Sequence, residues 1–250
     1  VSDVDRGVLV LLATAGSAAF VALQFVSAPY GRHVRPGWGP TIPQWLGWML
    51  MESPAVWMVA GVALSGPDGQ TPGALALLAL WQLHYVHRTF VYPLRQRTPM
   101  RPMPAVVAGL AFVFNVLNGL ANGRQLGWSG GYDAAWLHDP RFVVGVLVFL
   151  AGEALNHHAD ATLLNLRRPG ESGYRIPYGG AFRWVSCPNY LGELVAWTGW
   201  AIASWSPAGV MFLVFTAANL VPRAAQNHQW YRATFSEYPT ERRALLPFVW

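Results

Sequence analysis

The stretch Leu80–Pro93 reads LWQLHYVHRTFVYP. It is apolar enough to lie in a bilayer, yet His84, Tyr85, His87 and Arg88 fall within five of its residues. An ionisable side chain in hydrocarbon costs about 2.5–3.5 kcal/mol on insertion scales, so such groups normally turn onto a protein interior. Read this way, the stretch is a membrane helix lining an internal site.

The rest of the chain has the same character. Of 250 residues, 53% are hydrophobic and 12% charged, and mean hydropathy is +0.27. A soluble domain carries about 25% charged residues. So little polar surface cannot cover a water-soluble globule, and an all-α integral membrane protein follows. The sequence pI is near 9.7, but the arginines are scattered between apolar spans. No basic stripe interleaved with aromatics is present, which argues against a nucleic-acid partner. The single cysteine, Cys187, excludes an intrachain disulfide and a cysteine-based metal site.

Hydropathy predicts one domain, 1–250, with seven transmembrane helices at about 8–26, 43–64, 72–92, 104–122, 142–164, 190–205 and 207–221. Asp3 and Asp5 spoil the basic start that a cleaved signal peptide needs. All 17 basic residues are arginine, and 13 of them fall in the 1–2, 3–4 and 5–6 loops and the tail. Only Arg6, Arg124 and Arg141 lie on the other side, and Arg88 lies within a span. The positive-inside rule then places the N-terminus outside and the C-terminus in the cytosol.

Polar groups inside the spans form clusters. Glu52 sits in WMLMESP, where a buried carboxyl favours its neutral form and can donate a hydrogen bond or a proton, or else pair with an interhelical arginine. His84 and Arg88 share a face, with Tyr85 one step around; the phenol donates without carrying charge. Interfacial snorkelling suits Arg88 and Tyr92. Asn115, Asn118 and Asn122 make one stripe, for helix–helix hydrogen bonding or for ligand contact. Glu153, Asn156, His157 and Asp160 share one face of the fifth span. Asn189 and Glu193 open the sixth, four apart, and Asn227, His228 and Tyr231 follow the seventh. Arg167, Arg168, Arg175 and Arg223 gather on the same side, where guanidinium matches phosphate oxygens. One end thus suits a polyphosphate ligand and the other, with Glu52, Tyr85 and tryptophans, a hydrophobic one. No GxGxxG follows a predicted strand, so no Rossmann domain holds a dinucleotide.

At these residues the chain resembles the steroid 5-alpha-reductases, membrane NADPH-dependent enzymes with seven helices. The carrying motifs are HYVHRTFVYP (84–93), RPMP (101–104), NHHADATLLNLRRPGESGYRIPYGGAF (156–182), VSCPNYLGE (185–193) and HQWYRATFSEYPTERRALLPFVW (228–250). The resemblance runs from about the second span to the C-terminus. It implies that Glu52 and Tyr85 are catalytic, hydrogen-bonding the 3-oxo group of the substrate, with Trp48 on the steroid wall. It implies an NADPH-contacting set of Asn156, Asp160, Arg167, Tyr174, Arg175, Asn189, Glu193, Arg223, Asn227, His228 and Tyr231, joined by Arg101. Met51 stands where a family member has glutamine beside the glutamate, and Asn227 where it has histidine. The implied reaction is reduction of the C4=C5 bond of a 3-oxo-Δ4 steroid, hydride going to C5. A multi-pass protein in a lipid environment with no obligate protein partner is implied, in the cytoplasmic membrane if bacterial and the endoplasmic reticulum for eukaryotic relatives.

Three other readings stand beside it. The histidine pairs 84/87 and 157/158 suggest a di-iron desaturase, although such sites draw on more ligands than seven histidines readily supply, and no metal is expected. The tail also resembles isoprenylcysteine methyltransferases, which use S-adenosylmethionine. Polar stripes on several helices would suit a transporter.

Overall fold

Each predicted span contains a helix. The computed structural model describes residues 3–95, 102–166 and 173–250. Its long helices are α1 (Asp3–Phe25), α2 (Gln44–Ser65), α3 (Pro72–Val86), α4 (Ala105–Trp128), α5 (Pro140–Asn165), α6 (Pro188–Ser204) and α7 (Pro207–Thr234). Four of them begin with proline, which lacks the N–H that would go unsatisfied there and has φ preset. Asp139 accepts from the Arg141 N–H at the start of α5, and Ser206 Oγ from the Gly209 N–H at the start of α7.

Three elements depart from the expected spans. α3 continues through a π-helical turn, His87–Val91, into a last turn at Tyr92–Leu94. Such bulges occur often at functional sites. α4 runs six residues past Asn122, because Gly123 and Gly127 let it close against α2; a Cβ on Gly127 would overlap the Ala63 carbonyl. α7 passes through Pro222 and carries Arg223, Asn227 and Tyr231 on its last turns, where a connection after the span was expected.

The tightest contact joins α5 to α6. Gly145 and Gly152 on one, and Gly192 and Gly199 on the other, recur at seven residues and let the backbones touch. Close approach through small residues is the usual glue where lipid supplies no hydrophobic drive. At the centre, the Trp81 Nε1–H donates to the Ala55 carbonyl at 2.8 Å, and its ring stacks on Tyr85 and meets Trp197, Trp200 and Phe212. That ring pins α2, α3, α6 and α7 together.

The distribution of polarity is inverted relative to a soluble protein. Asn115, Asn118, Asn122, Glu153, Asn156 and Asp160 are buried, while Leu110, Leu147, Val214 and Trp57 point outward. Five helices, α1, α2, α4, α5 and α7, are long and apolar enough to cross a membrane. The chain is an all-α, multi-pass membrane protein.

One end is sealed by short turns. The Tyr132 OH donates to Ser204 O at 2.6 Å, the Trp136 Nε1–H to Ala203 O, and the Gly73 N–H to Tyr132 O. The other end gathers the longer connections. A two-residue antiparallel ladder, β1 (Thr41–Ile42) with β2 (Met103–Pro104), ties the entries of α2 and α4. The tail folds back on the connection before α6 through Ser186 N–H to Arg243 O and Cys187 N–H to Ala244 O.

Candidate functional site

A column of polar side chains runs inward from the open end. At its inner limit, Glu52 on α2 is oriented by α4: Asn115 Nδ2 donates to Glu52 Oε2 at 3.2 Å and to Met51 O at 2.7 Å. Tyr85 on α3 is within electrostatic range of Glu52 and is held between the Trp81 and Trp197 rings. Glu52 therefore bonds an amide directly, while the Arg88 guanidinium, on the continuation of α3, lies within its electrostatic range and not at ion-pair distance. Asn118 and Asn122 are structural: Asn122 bonds Asn118 and accepts from Trp200 Nε1–H at 3.1 Å.

One turn outward, Arg88 overturns the snorkelling expectation. Its side chain is 15% exposed and reaches Asp160 at 3.4 Å and Glu193 at 3.8 Å, with its guanidinium over the faces of Trp48 and Tyr92. It turns inward because two carboxylates and two rings offer more than distant lipid headgroups. Asn189 Nδ2 donates to Asp160 Oδ1 at 3.1 Å, and Asn156 Nδ2 to Asn189 O at 2.9 Å, so α5 and α6 present these groups together. The buried Trp48 Nε1 has no partner among the described residues.

Outermost, the segment between α1 and α2 enters the site. Gly31, at φ 61°, turns the chain so that Arg32 lies over the rings of Tyr174, Trp230 and Tyr231, with Nη2 donating to Tyr231 OH at 3.2 Å. His33 Nε2–H donates to Asn227 Oδ1 at 3.1 Å. Arg223 donates to Asn219 and to Tyr190 OH, and lies over Tyr30. Burial raises the Tyr30 phenol to about 12 and the Cys187 thiol to about 11, so both stay neutral. Burial also lowers His33, against the opposing pull of its bond to Asn227.

Of the residues expected at a site, Glu52, Tyr85, Trp48, Asn156, Asp160, Asn189, Glu193, Arg223, Asn227, Tyr231 and Tyr174 lie along this column. Arg175 is exposed. His228 turns to the tail, its Nδ1 bonded to Ser186 Oγ at 2.6 Å. Arg101 and Arg167 lie outside the described residues. Arg32 and His33 were not foreseen as site residues, whereas Arg88 lines the interior as the reading of its stretch expected.

The outer residues fit a polyanion. Among the described residues, Arg32 Nη1 is buried without a hydrogen-bond partner, and the hydrogen-bond partners of Arg223 are neutral. Among the described residues, the arginine ion pairs involve Arg6, Arg88, Arg124 and Arg141, so neither outer guanidinium is neutralised by a carboxylate. Two such cations beside stacking-capable rings suit a nucleotide phosphate.

Comparison with known proteins adds an independent line. Residues 101–250 match the family model described as 3-oxo-5-alpha-steroid 4-dehydrogenase. The steroid 5-alpha-reductase DET2 of Arabidopsis thaliana is 43% identical over 98% of this chain and 96% of its own. The 3-oxo-5-alpha-steroid 4-dehydrogenase 1 of Rattus norvegicus is 42% identical over 92% of this chain and 90% of its own, and that of Homo sapiens 37% over 94% and 91%.

Proposed function

The chain belongs to the 3-oxo-5-alpha-steroid 4-dehydrogenase family, and on that premise we propose that it reduces the C4=C5 double bond of a 3-oxo-Δ4 steroid with NADPH. It is an oxidoreductase acting on a CH–CH bond of a steroid. The observation that carries the reading is similarity over nearly the whole chain to reductases of that name. The reductant is a nicotinamide dinucleotide, and Arg32 and Arg223, with Arg101 and Arg167, favour the form bearing the extra phosphate. When bound, it supplies the hydride that adds at C5.

The chain's own residues do the rest. Glu52 and Tyr85 donate hydrogen bonds to the 3-oxo group. As C5 is attacked, negative charge gathers on that oxygen, where both donors strengthen their hold. Asn115 fixes the orientation of Glu52. Trp48 lines the steroid path. Arg88, locked by Asp160 and Glu193, stands between the two ligand ends. Tyr174, Trp230 and Tyr231 stack around Arg32 and the nucleotide end. Asn156, Asp160 and Asn189, bonded to one another, would hold polar groups of the nucleotide. Packed aromatic rings keep water from the inner end.

The seven helices act as a single domain that crosses the membrane seven times, with the N-terminus outside. The arginine asymmetry supports this orientation. The test of the reaction is direct: purified protein given testosterone or progesterone with NADPH yields the saturated ketone. Arg32→Ala and Arg223→Ala raise the NADPH dissociation constant; unchanged affinity in both would overturn the phosphate assignment.

A further inference from the structure

A second polar chain lies beside the column, and the mechanism above leaves it unused. His84 Nδ1 and Glu153 Oε1 are 2.7 Å apart, and Glu153 Oε2 is 3.4 Å from His157 Nε2. The His157 ring lies 4.1 Å from that of His87. Exposure falls along the line, from 39% for the His157 side chain to 5% for Glu153 and 4% for His84. At the inner end, the His84 ring meets the Tyr85 ring edge-on at 5.0 Å between centroids. The geometry points to a proton pathway: His157, Glu153 and His84 carry in the proton that each reduction consumes and deliver it beside Tyr85.

The stoichiometry of the reaction demands such a route, and this inference rests on the reductase reading. A hydride brings two electrons and one hydrogen to C5. The C4=C5 π electrons pass to the 3-oxo oxygen as an enolate, and the ketone re-forms when C4 takes a proton. One proton per turnover must therefore reach a site walled by Trp81, Trp197 and Phe149. An imidazole accepts a proton on one nitrogen and releases one from the other, and a carboxyl does the same with its two oxygens. A proton taken up at His157 passes to Glu153, then to His84 Nδ1, while Nε2 gives one up to a water beside Tyr85, which passes it to C4 of the enolate. After one passage His84 and Glu153 hold their protons on the opposite atoms, and reorientation of ring and carboxyl restores the starting forms before the next turnover; no protein group is oxidised or reduced.

A clamp between α3 and α5 would need only the His84–Glu153 pair. The third member, half-exposed, lies 3.4 Å from the other carboxyl oxygen, and that oxygen is buried with no hydrogen-bond partner among the described residues, as a conduit poised to take up a proton requires. Arg88 and Glu193 face His84, and Arg88 and Arg95 face His157 together with His87. Their charges set the potential along the path. Among the described residues no group of three or more His, Cys, Asp or Glu is placed to hold a metal ion.

The test uses the full-length enzyme with His157→Ala, a half-exposed position, and with Glu153→Gln. The exposed His158→Ala serves as control. General acid–base groups contribute about 10²–10⁴-fold, and water partly replaces an outer member, so His157→Ala lowers kcat about tenfold. Steroid KM and the NADPH dissociation constant, read by binding, stay as in the wild type. The solvent deuterium isotope effect on kcat rises, and added imidazole restores the His157→Ala rate in a dose-dependent way. Wild-type kcat and isotope effect in both variants overturn the pathway. So does a loss that tracks steroid and NADPH affinity and does not respond to imidazole, because that is a clamp. Tyr85→Phe separates this from failure of the underlying reading: if Tyr85→Phe turns over normally, the role of the phenol is wrong, whereas an inactive Tyr85→Phe beside an unaffected His157→Ala overturns the pathway alone.

Discussion

At the scale of single residues, the site rests on donors whose neighbours fix their direction. Asn115 holds Glu52, and two indoles hold Tyr85. Glu52→Gln and Tyr85→Phe each keep the fold and lose about 10²–10³ in single-turnover rate, the usual effect of deleting one donor to a developing oxyanion. Near-normal turnover in either would remove that residue from the chemistry. His33 supplies a pH dependence. Burial holds its folded-state value below the ordinary 6.5, so on acidification the unfolded chain takes up a proton before the folded chain does. Stability is therefore lost as pH falls through 6.5 and stops falling once pH drops below the lowered folded value. Thermal unfolding of His33→Gln in detergent shows a flatter dependence over that window than the wild type.

At the scale of elements, hydrophobic runs of 15–25 residues made the seven helices legible, and helical spacing made the α5 face legible. Glu153, Asn156 and Asp160 turn inward together, as their offsets require. What stayed hidden has long-range causes. Arg32 and His33 meet Tyr231 and Asn227 across 199 and 194 positions, and nothing within a short polar connection announces such partners. The one local cue is PYGRH, a turn built around glycine. Arg88 could be read either as lining the interior or as interfacial, because its anions, Asp160 and Glu193, come from other helices. The ends of α4 and α7 were missed because helices outrun the apolar stretch once a neighbour covers the extra turns. The α5–α6 contact gives a test at this scale. A side chain on Gly152 would overlap the Ala196 backbone, so Gly152→Val costs more than about 3 kcal/mol and lowers the yield of folded protein. A wild-type melting temperature would show that the helices can part at no cost.

At the scale of the whole molecule, the open end carries Arg32 and Arg223, the groups proposed to meet the nucleotide, and the sealed end carries short turns. Membrane-impermeant labelling of a cysteine placed in the first residues, in a chain with Cys187→Ser, should succeed from outside the cell; labelling only after permeabilisation would reverse the orientation. The inverted polarity of the bundle has a kinetic consequence. Its two ligands dissolve in different phases, one partitioned into the hydrocarbon that wets Leu110 and Leu147, the other in water. For the first, the quantity that governs saturation is mole fraction in the amphiphile, not molarity in the tube. Adding empty micelles at fixed total steroid should raise its apparent KM in proportion, while that of the nucleotide and the maximal rate hold still. Two assays run at different detergent loads would then report different steroid affinities for one and the same protein.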